Sequence, residues 1–278
     1  DMANPAVVAY LKEMFDQTFR DFEPDYFKWD MNRNMSETGS SFLPLQRQDE
    51  TAYRYMLGVY DLFAWFRKRF PHAIIENCSG GGGRYDLGMM KYSCQIWTSD
   101  NTIPEDRVRI QFGSMMAYPA ETMSCHVSNR KHLTEDSRYL NYAYQVALNG
   151  TLGYELHLPN MSQTVQQAIA EQIREYKTHL EFLIRQGNYY RVLSPFETPY
   201  SAYYFESEDQ SHILLTFLQN KGETPRTVKL KLPSADQNAR YRDRYTGEIY
   251  EGFQLKKGFT LTTSEANHFG RMWALEKI

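Results

Sequence analysis

Two stretches of this chain carry side chains whose types and spacing could do chemistry. The first is Tyr26-Phe27-Lys28-Trp29-Asp30-Met31-Asn32-Arg33, an apolar run that delivers a charged cluster at its end. Along a strand side chains alternate, so Lys28 and Asp30 are predicted to point one way and Phe27 and Trp29 the other. Asn32 keeps that phase if the extended conformation persists past Asp30. A carboxylate beside an ammonium stays ionised at neutral pH, which suits a nucleophile or an electrostatic stabiliser and not a proton donor. Taken alone, these eight residues serve a structural ion pair at a strand end equally well. The second stretch is Trp97-Thr98-Ser99-Asp100-Asn101-Thr102, whose Asp100 is the natural partner carboxylate. Two carboxyl groups flanking a glycosidic bond can hydrolyse it, with retention at a separation of about 5–5.5 Å and inversion at about 6.5–9.5 Å. Asp100 as the acid needs a raised pKa, which partial burial beside Trp97 would supply. By itself, Asp100 also fits a turn or helix cap.

Between these two lies Cys78-Ser79-Gly80-Gly81-Gly82-Gly83-Arg84. It lacks the Gly-Lys-Ser/Thr ending of a phosphate loop, and a run of glycines meets a G-x-G-x-x-G spacing trivially. Glycines also let a backbone approach a ligand ring without side-chain obstruction, which is the use favoured here. Cys78 as a nucleophile would need a paired histidine, and neither His72 nor His126 is evidently placed to serve, so Cys78 is assigned to a pocket wall. Cys94 and Cys125 read as buried packing residues. His126 has no partner at metal-ligand spacing and reads as a hydrogen-bonded strand-end histidine; neither a metal nor a cofactor is expected.

Positioning these residues takes a regular alternation of elements. Asn4-Pro5 opens a helix as N-cap and first-turn proline, Val7, Val8, Leu11, Phe15 and Phe19 continue it, and Pro24 stops it. A second helix carries Tyr53, Leu57, Tyr60, Ala64, Trp65 and Phe66 and ends before Pro71. Further helices are predicted over 107–117, 138–148 and 162–185. Short apolar runs between them end in polar clusters at Asp30, Cys78, Asp100, His126 and Glu155, the C-terminal strand ends where α/β folds place their chemistry. A complete (β/α)8 barrel takes about 250 residues and five units about 150. The expected fold is therefore α/β, a partial (β/α)8 TIM barrel (strands 4–8) with its front missing. After Arg185 breakers and short β-like runs take over, at 202–205, 212–218, 227–232, 239–244, 259–262 and 271–275. These predict a small antiparallel β-sandwich, giving a barrel portion over 1–193 and a β domain over 194–278.

The bulk numbers exclude other classes. With 278 residues, 42% hydrophobic and 23% charged, the composition is that of a globular protein. A net charge of −3, from 31 basic and 34 acidic residues, gives no reason to expect nucleic acid or an anionic membrane surface. No apolar run approaches the ~20 residues of a membrane helix, and no signal-peptide pattern opens the chain. Three cysteines are too few for a disulfide framework, which points to a reducing compartment, the cytoplasm. The 15% of aromatic residues, with 21 tyrosines, is compatible with a carbohydrate-handling surface as well as with a packed core.

The motif 28–33, the motif Cys78-Ser79-Gly80-Gly81-Gly82-Gly83-Arg84-Tyr85-Asp86 and the motif 97–102 together resemble glycoside hydrolase family 36, the bacterial and fungal α-galactosidases. Weaker matches, Cys125-His126-Val127-Ser128, Leu152-Gly153-Tyr154-Glu155-Leu156 and Ser194-Pro195-Phe196, fall in the same order. The resemblance implies a retaining mechanism on terminal α-galactosyl residues of sugars such as melibiose and raffinose, with Asp30 as nucleophile and Asp100 as general acid/base. It further implies that Lys28 and Asn32 bind galactose hydroxyls, that Cys78, Gly80 and Gly81 form the sugar-cradling loop, and that Trp97 is a nearby wall. The complete enzyme is expected to be a homo-oligomer with an N-terminal β-sandwich and earlier barrel strands. On that basis the chain is expected to be a C-terminal fragment, either inactive alone or dependent on a partner. His157 replaces a frequently acidic residue, and Asn129-Arg130-Lys131 departs from a proline-containing loop. Those differences leave open a related activity on α-N-acetylgalactosaminides or galactosyl transfer.

Overall fold

A computed structural model describes residues 1–22, 24–32, 35–128 and 136–278. The departure noted at 129–131 lies outside the described residues. The chain packs as two compact units, Asp1–Asp100 and Asn101–Ile278.

In the first unit, helix α1 (Pro5–Thr18) begins as expected: the Asn4 side chain accepts a hydrogen bond from Ala6 N and Pro5 occupies the first turn. It ends at Thr18 rather than running to Pro24, with Phe19 N–H donating to Phe15 O in its last turn. Strand β1 (Tyr26–Asp30), helix α2 (Thr51–Arg69), strand β2 (Ile74–Cys78), the single-turn helix α3 (Leu87–Met90) and strand β3 (Gln95–Trp97) follow. The strands pair in parallel, β1 on β2 and β2 on β3, as apolar runs separated by helices require. One face of this sheet is covered by α1 and α2. Phe63 and Phe66 of α2 are fully buried; Phe63 stacks on Trp29 at 4.5 Å between ring centroids and Phe66 on Phe27 at 5.0 Å, with Phe15 and Phe19 closing the cluster. The alternation predicted for β1 is thus observed: Phe27 and Trp29 face the helices, and Lys28 and Asp30 the opposite side. Because this packing fixes the strand that carries Asp30, Phe66→Ala is expected to lower stability by about 3–5 kcal/mol, read as a shift in denaturant midpoint at unchanged slope.

The second unit carries α4 (Pro104–Ser114), β4 (Met123–Ser128), α5 (Ser137–Ala147), β5 (Thr151–Glu155), α6 (Gln163–Glu175) and α7 (Glu181–Gln186), with β4 and β5 parallel. The helix expected over 162–185 is interrupted by a π-turn at Tyr176–Leu180, whose end residues are both buried. An antiparallel sheet then forms from β6 (Asn188–Leu193), β7 (Tyr200–Glu206), β8 (His212–Gln219), β10 (Arg240–Asp243), β11 (Ile249–Glu251) and β13 (Phe269–Lys277). The pair β9 (Thr227–Leu230) and β12 (Phe259–Thr262) lies on it through a shared core that includes Leu230, Leu261, Phe217 and Trp273, and the short helix α8 (Gly252–Lys257) contributes Leu255. Antiparallel pairing begins at Asn188, ahead of the Ser194 expected from the breakers, because Asn188–Leu193 pairs along β7 up to the Ser194-Pro195 turn. Contacts such as Tyr142 Oη donating to Asn220, and Glu105 2.6 Å from His268 Nε2, tie the β domain to α4 and α5.

Candidate active site

The site residues expected from the sequence, Lys28, Asp30, Asn32, Cys78, Gly80, Gly81, Trp97 and Asp100, all fall in the first unit. The parallel register sets Lys28 beside Glu76 and Asp30 beside Cys78, so four chemically active side chains share the face turned away from the helices. The ladder continues as Asn77 opposite Ile96, which brings Trp97 into phase with Cys78.

Asp30 is exposed and held from several sides. Asn32 Nδ2 donates to its Oδ2 at 2.9 Å, the Gly80 N–H donates to Oδ1 at 3.4 Å, and the Cys78 thiol donates as well. Partial burial alone would raise its pKa, but these three donors and the nearby Lys28 charge outweigh it and hold the carboxyl below the ordinary aspartate value. The donors around Asp30 thus favour the ionised state expected of it, with the cause reordered: hydrogen bonds come first and Lys28 contributes least. The Lys28 ammonium is instead 3.3 Å from Glu76 Oε1 and 4.3 Å above the Trp97 ring. Asn32 lies past the strand's end, and its side chain stays beside Asp30; its side-chain oxygen also accepts from Gly80 N at 3.1 Å.

The same interaction seen from sulfur explains why Cys78 is no nucleophile. Burial, then its hydrogen bond to Asp30, pushes the thiol up to about 11, so the reactive thiolate is absent at neutral pH. Cys125 is fully buried and likewise raised. Cys94 departs from expectation: it is exposed at the entrance to β3 and not a packing residue, its N–H pairing with Ile75 O. Because Cys78 supplies one of the donors that keep Asp30 ionised, Cys78→Ala raises the Asp30 pKa. The form with a charged Asp30 is then lost at a higher pH as the solution is acidified. The acid limb of kcat/KM is expected to move to higher pH in this variant, measured from a pH–rate profile of the full-length protein.

The glycine run does structural work for both carboxylates. Gly80 and Gly81 adopt φ of +52° and +83°, conformations that favour glycine. A Cβ on Gly81 would fall 2.9 Å from the backbone nitrogen of Asp100 and from Ser99 Cα, so this turn packs directly against the segment carrying Asp100. Gly82 and Gly83 are similarly closed by Thr98 O and Ser79 O, whereas Gly80 alone faces open space. Closeness to the protein's own backbone, rather than to a ligand, accounts for three of the four glycines. Asp100 is exposed, and the indole N–H of buried Trp97 donates to its Oδ1 at 3.1 Å.

Two residues of this site were not singled out from the sequence. Glu76 is 1% exposed and directly follows the apolar run Ala73-Ile74-Ile75, which was the available signal. Arg84 closes the glycine run: its buried guanidinium donates to Cys78 O at 2.7 Å and Trp29 O at 3.4 Å, clamping the ends of β1 and β2 together. In the second unit, His126 lies inside β4 rather than at its end, with Nδ1 3.3 Å from Glu155 Oε1. His157 immediately precedes a single turn of 3-10 helix, Leu158–Asn160. Among the described residues no group of three or more His, Cys, Asp and Glu side chains is placed to hold a metal. No described helix is long and apolar enough to cross a membrane.

Known proteins share this architecture. The Melibiase family model matches residues 1–186. Alpha-galactosidase AgaA of Geobacillus stearothermophilus is 38% identical over 281 residues, covering 100% of this chain and 38% of AgaA. Alpha-galactosidase 1 of Pediococcus pentosaceus is 38% identical over 259 residues, covering 92% of this chain and 35% of that protein. The crystal structure of GH36 AgaA superposes on the whole chain with a TM-score of 0.93, and the alpha-galactosidase from Lactobacillus brevis does so with 0.93 at 33% identity, each matched over 39% of its own length. The chain thus spans about two-fifths of the length of these relatives. The superposition bears out the fold class, a partial parallel barrel followed by an antiparallel β domain. The chain belongs to the Melibiase family, and to glycoside hydrolase family 36 as its motifs led us to expect.

Proposed function

We propose that this chain carries the nucleophile and the acid/base of a retaining α-galactosidase, within a protein whose remaining barrel strands enclose the sugar. Asp30 attacks the anomeric carbon while Asp100 gives its proton to the departing glycosidic oxygen. Water, deprotonated by Asp100, then displaces Asp30 from the galactosyl ester. Lys28, Asn32, Cys78, Gly80 and Trp97 would contact the galactose, with Gly81 bringing the backbone of the acid/base close. The observation that carries this reading is the Gly80-Gly81 turn: one residue donates to the Asp30 carboxylate and the next packs against the Asp100 backbone. Structures of AgaA variants hold raffinose and stachyose, which supports α-galactosyl oligosaccharides as the substrate class. Those variants replace two aspartates that lie as many positions apart in AgaA as Asp30 and Asp100 do here. We also infer a division into a catalytic portion and a β domain, with β6 allotted to the latter, and a cytoplasmic location in keeping with three free thiols.

The test is to treat the full-length protein with a 2-fluoro-galactosyl inactivator and map the label by peptide mass spectrometry. The ester is expected on Asp30; a label on any other residue refutes the assignment.

One observation favours a second reading for the 278 residues by themselves, that they are catalytically inert. Lys28, Asp30, Asn32 and Asp100 are all exposed, and β1 has one strand neighbour among the described residues. An open edge of this kind needs covering before water is excluded from a sugar site. Robust turnover of p-nitrophenyl α-galactoside by the isolated chain would overturn that reading.

A further inference from the structure

We propose that Glu76 is a positioning residue of this site, acting through Lys28; the proposal rests on the galactosidase reading above. Glu76 is almost wholly buried beneath the exposed Lys28, one strand over and in register with it. A carboxylate taken out of water is costly unless it is paired, so its retention in a strand interior calls for a partner that needs it. Its two oxygens are divided between two neighbours. Oε1 lies 3.3 Å from Lys28 Nζ, and Oε2 accepts from the hydroxyl of Tyr26.

What this does for Lys28 follows from the nature of a lysine. Its four-carbon stem is flexible, and its ammonium is a compact point charge that follows the strongest nearby anion. Two anions compete for it here, Glu76 across the ladder and Asp30 two residues along the same strand face. Glu76 wins the contact, and the Trp97 ring, 4.3 Å from the ammonium, supports it from the side. The charge is therefore parked where it can meet a sugar hydroxyl, and it is kept from collapsing onto the nucleophile. Trp97 in turn donates to Asp100, so the anchor reaches both halves of the reaction.

The experiment is a double-mutant cycle in the full-length protein, using p-nitrophenyl α-galactoside, with thermal melting to confirm folding. Glu76→Gln keeps the shape and removes the charge. KM is expected to rise about tenfold, the lower end of what a hydrogen bond to a charged group is worth, with kcat within about threefold. In a Lys28→Met background the same substitution should change KM less than about twofold, because the residue it acts through is gone. An unchanged KM in Glu76→Gln, or effects that multiply in the double variant, overturns the proposal while leaving the galactosidase reading intact. A Lys28→Met variant with unaltered KM overturns both. Should Glu76→Gln not fold, Tyr26→Phe tests the same idea from an exposed position. Loosening Glu76 by one hydrogen bond should raise KM about fivefold in the parent and not in Lys28→Met, and no rise in the parent is the refuting result.

Discussion

Asp30→Ala in the full-length protein is expected to lower kcat on p-nitrophenyl α-galactoside by on the order of 10^4 to 10^6-fold, the range for loss of a covalent nucleophile. The reason lies in what surrounds the carboxylate. The Asn32 amide, the Gly80 N–H and the Cys78 thiol all donate toward it, so the site is built around a negative charge at that point. Removing the carboxylate leaves those donors facing a gap about the size of a small anion. Azide should enter it and attack the anomeric carbon directly, giving β-galactosyl azide by a single inversion. Product stereochemistry by NMR reads this out. An active Asp30→Ala variant, or one whose azide product is α, is incompatible with Asp30 as nucleophile.

Asp100→Ala should behave in the opposite sense. Here the nucleophile survives, so galactosylation still occurs when the leaving group needs no proton. On p-nitrophenyl α-galactoside the first step is expected to slow little and deglycosylation to limit turnover, giving a burst of nitrophenol. On raffinose, whose leaving group must be protonated, kcat/KM should fall by about 10^2 to 10^4-fold, the usual contribution of general acid catalysis. Azide, needing no general base, should restore turnover and yield α-galactosyl azide by double displacement. The two variants then give opposite anomers from the same reagents. If both gave one anomer, the division of labour between Asp30 and Asp100 would be wrong.

The parts legible in the sequence were those set by local periodicity. The alternation of Phe27 and Trp29 with Lys28 and Asp30 fixed which way the carboxylate points, because a strand offers only two faces. Apolar runs located the five strands, of which β1, β2 and β5 end on Asp30, Cys78 and Glu155 while β3 stops at Trp97 and β4 runs past His126 to Ser128, and Asn4-Pro5 gave the first helix start. Elements with weak periodicity were less legible. Strand β11 has three residues and helix α8 six, too short to show a pattern, and β6 (Asn-Tyr-Tyr-Arg-Val-Leu) has no two-residue alternation, with none of its residues fully buried.

Long-range register decided the rest. That Lys28 pairs with Glu76 and not chiefly with Asp30 depends on how β1 slides along β2, residues 48 positions apart in the chain, and one residue of slip would exchange the faces. Cys78 becomes a donor to Asp30 and Gly81 a wedge against Asp100 for the same reason. Side-chain chemistry and strand phase are local properties that the sequence carries by itself. Which charged group neutralises which is a matter of distances across the sheet, and those exist only once the chain has folded.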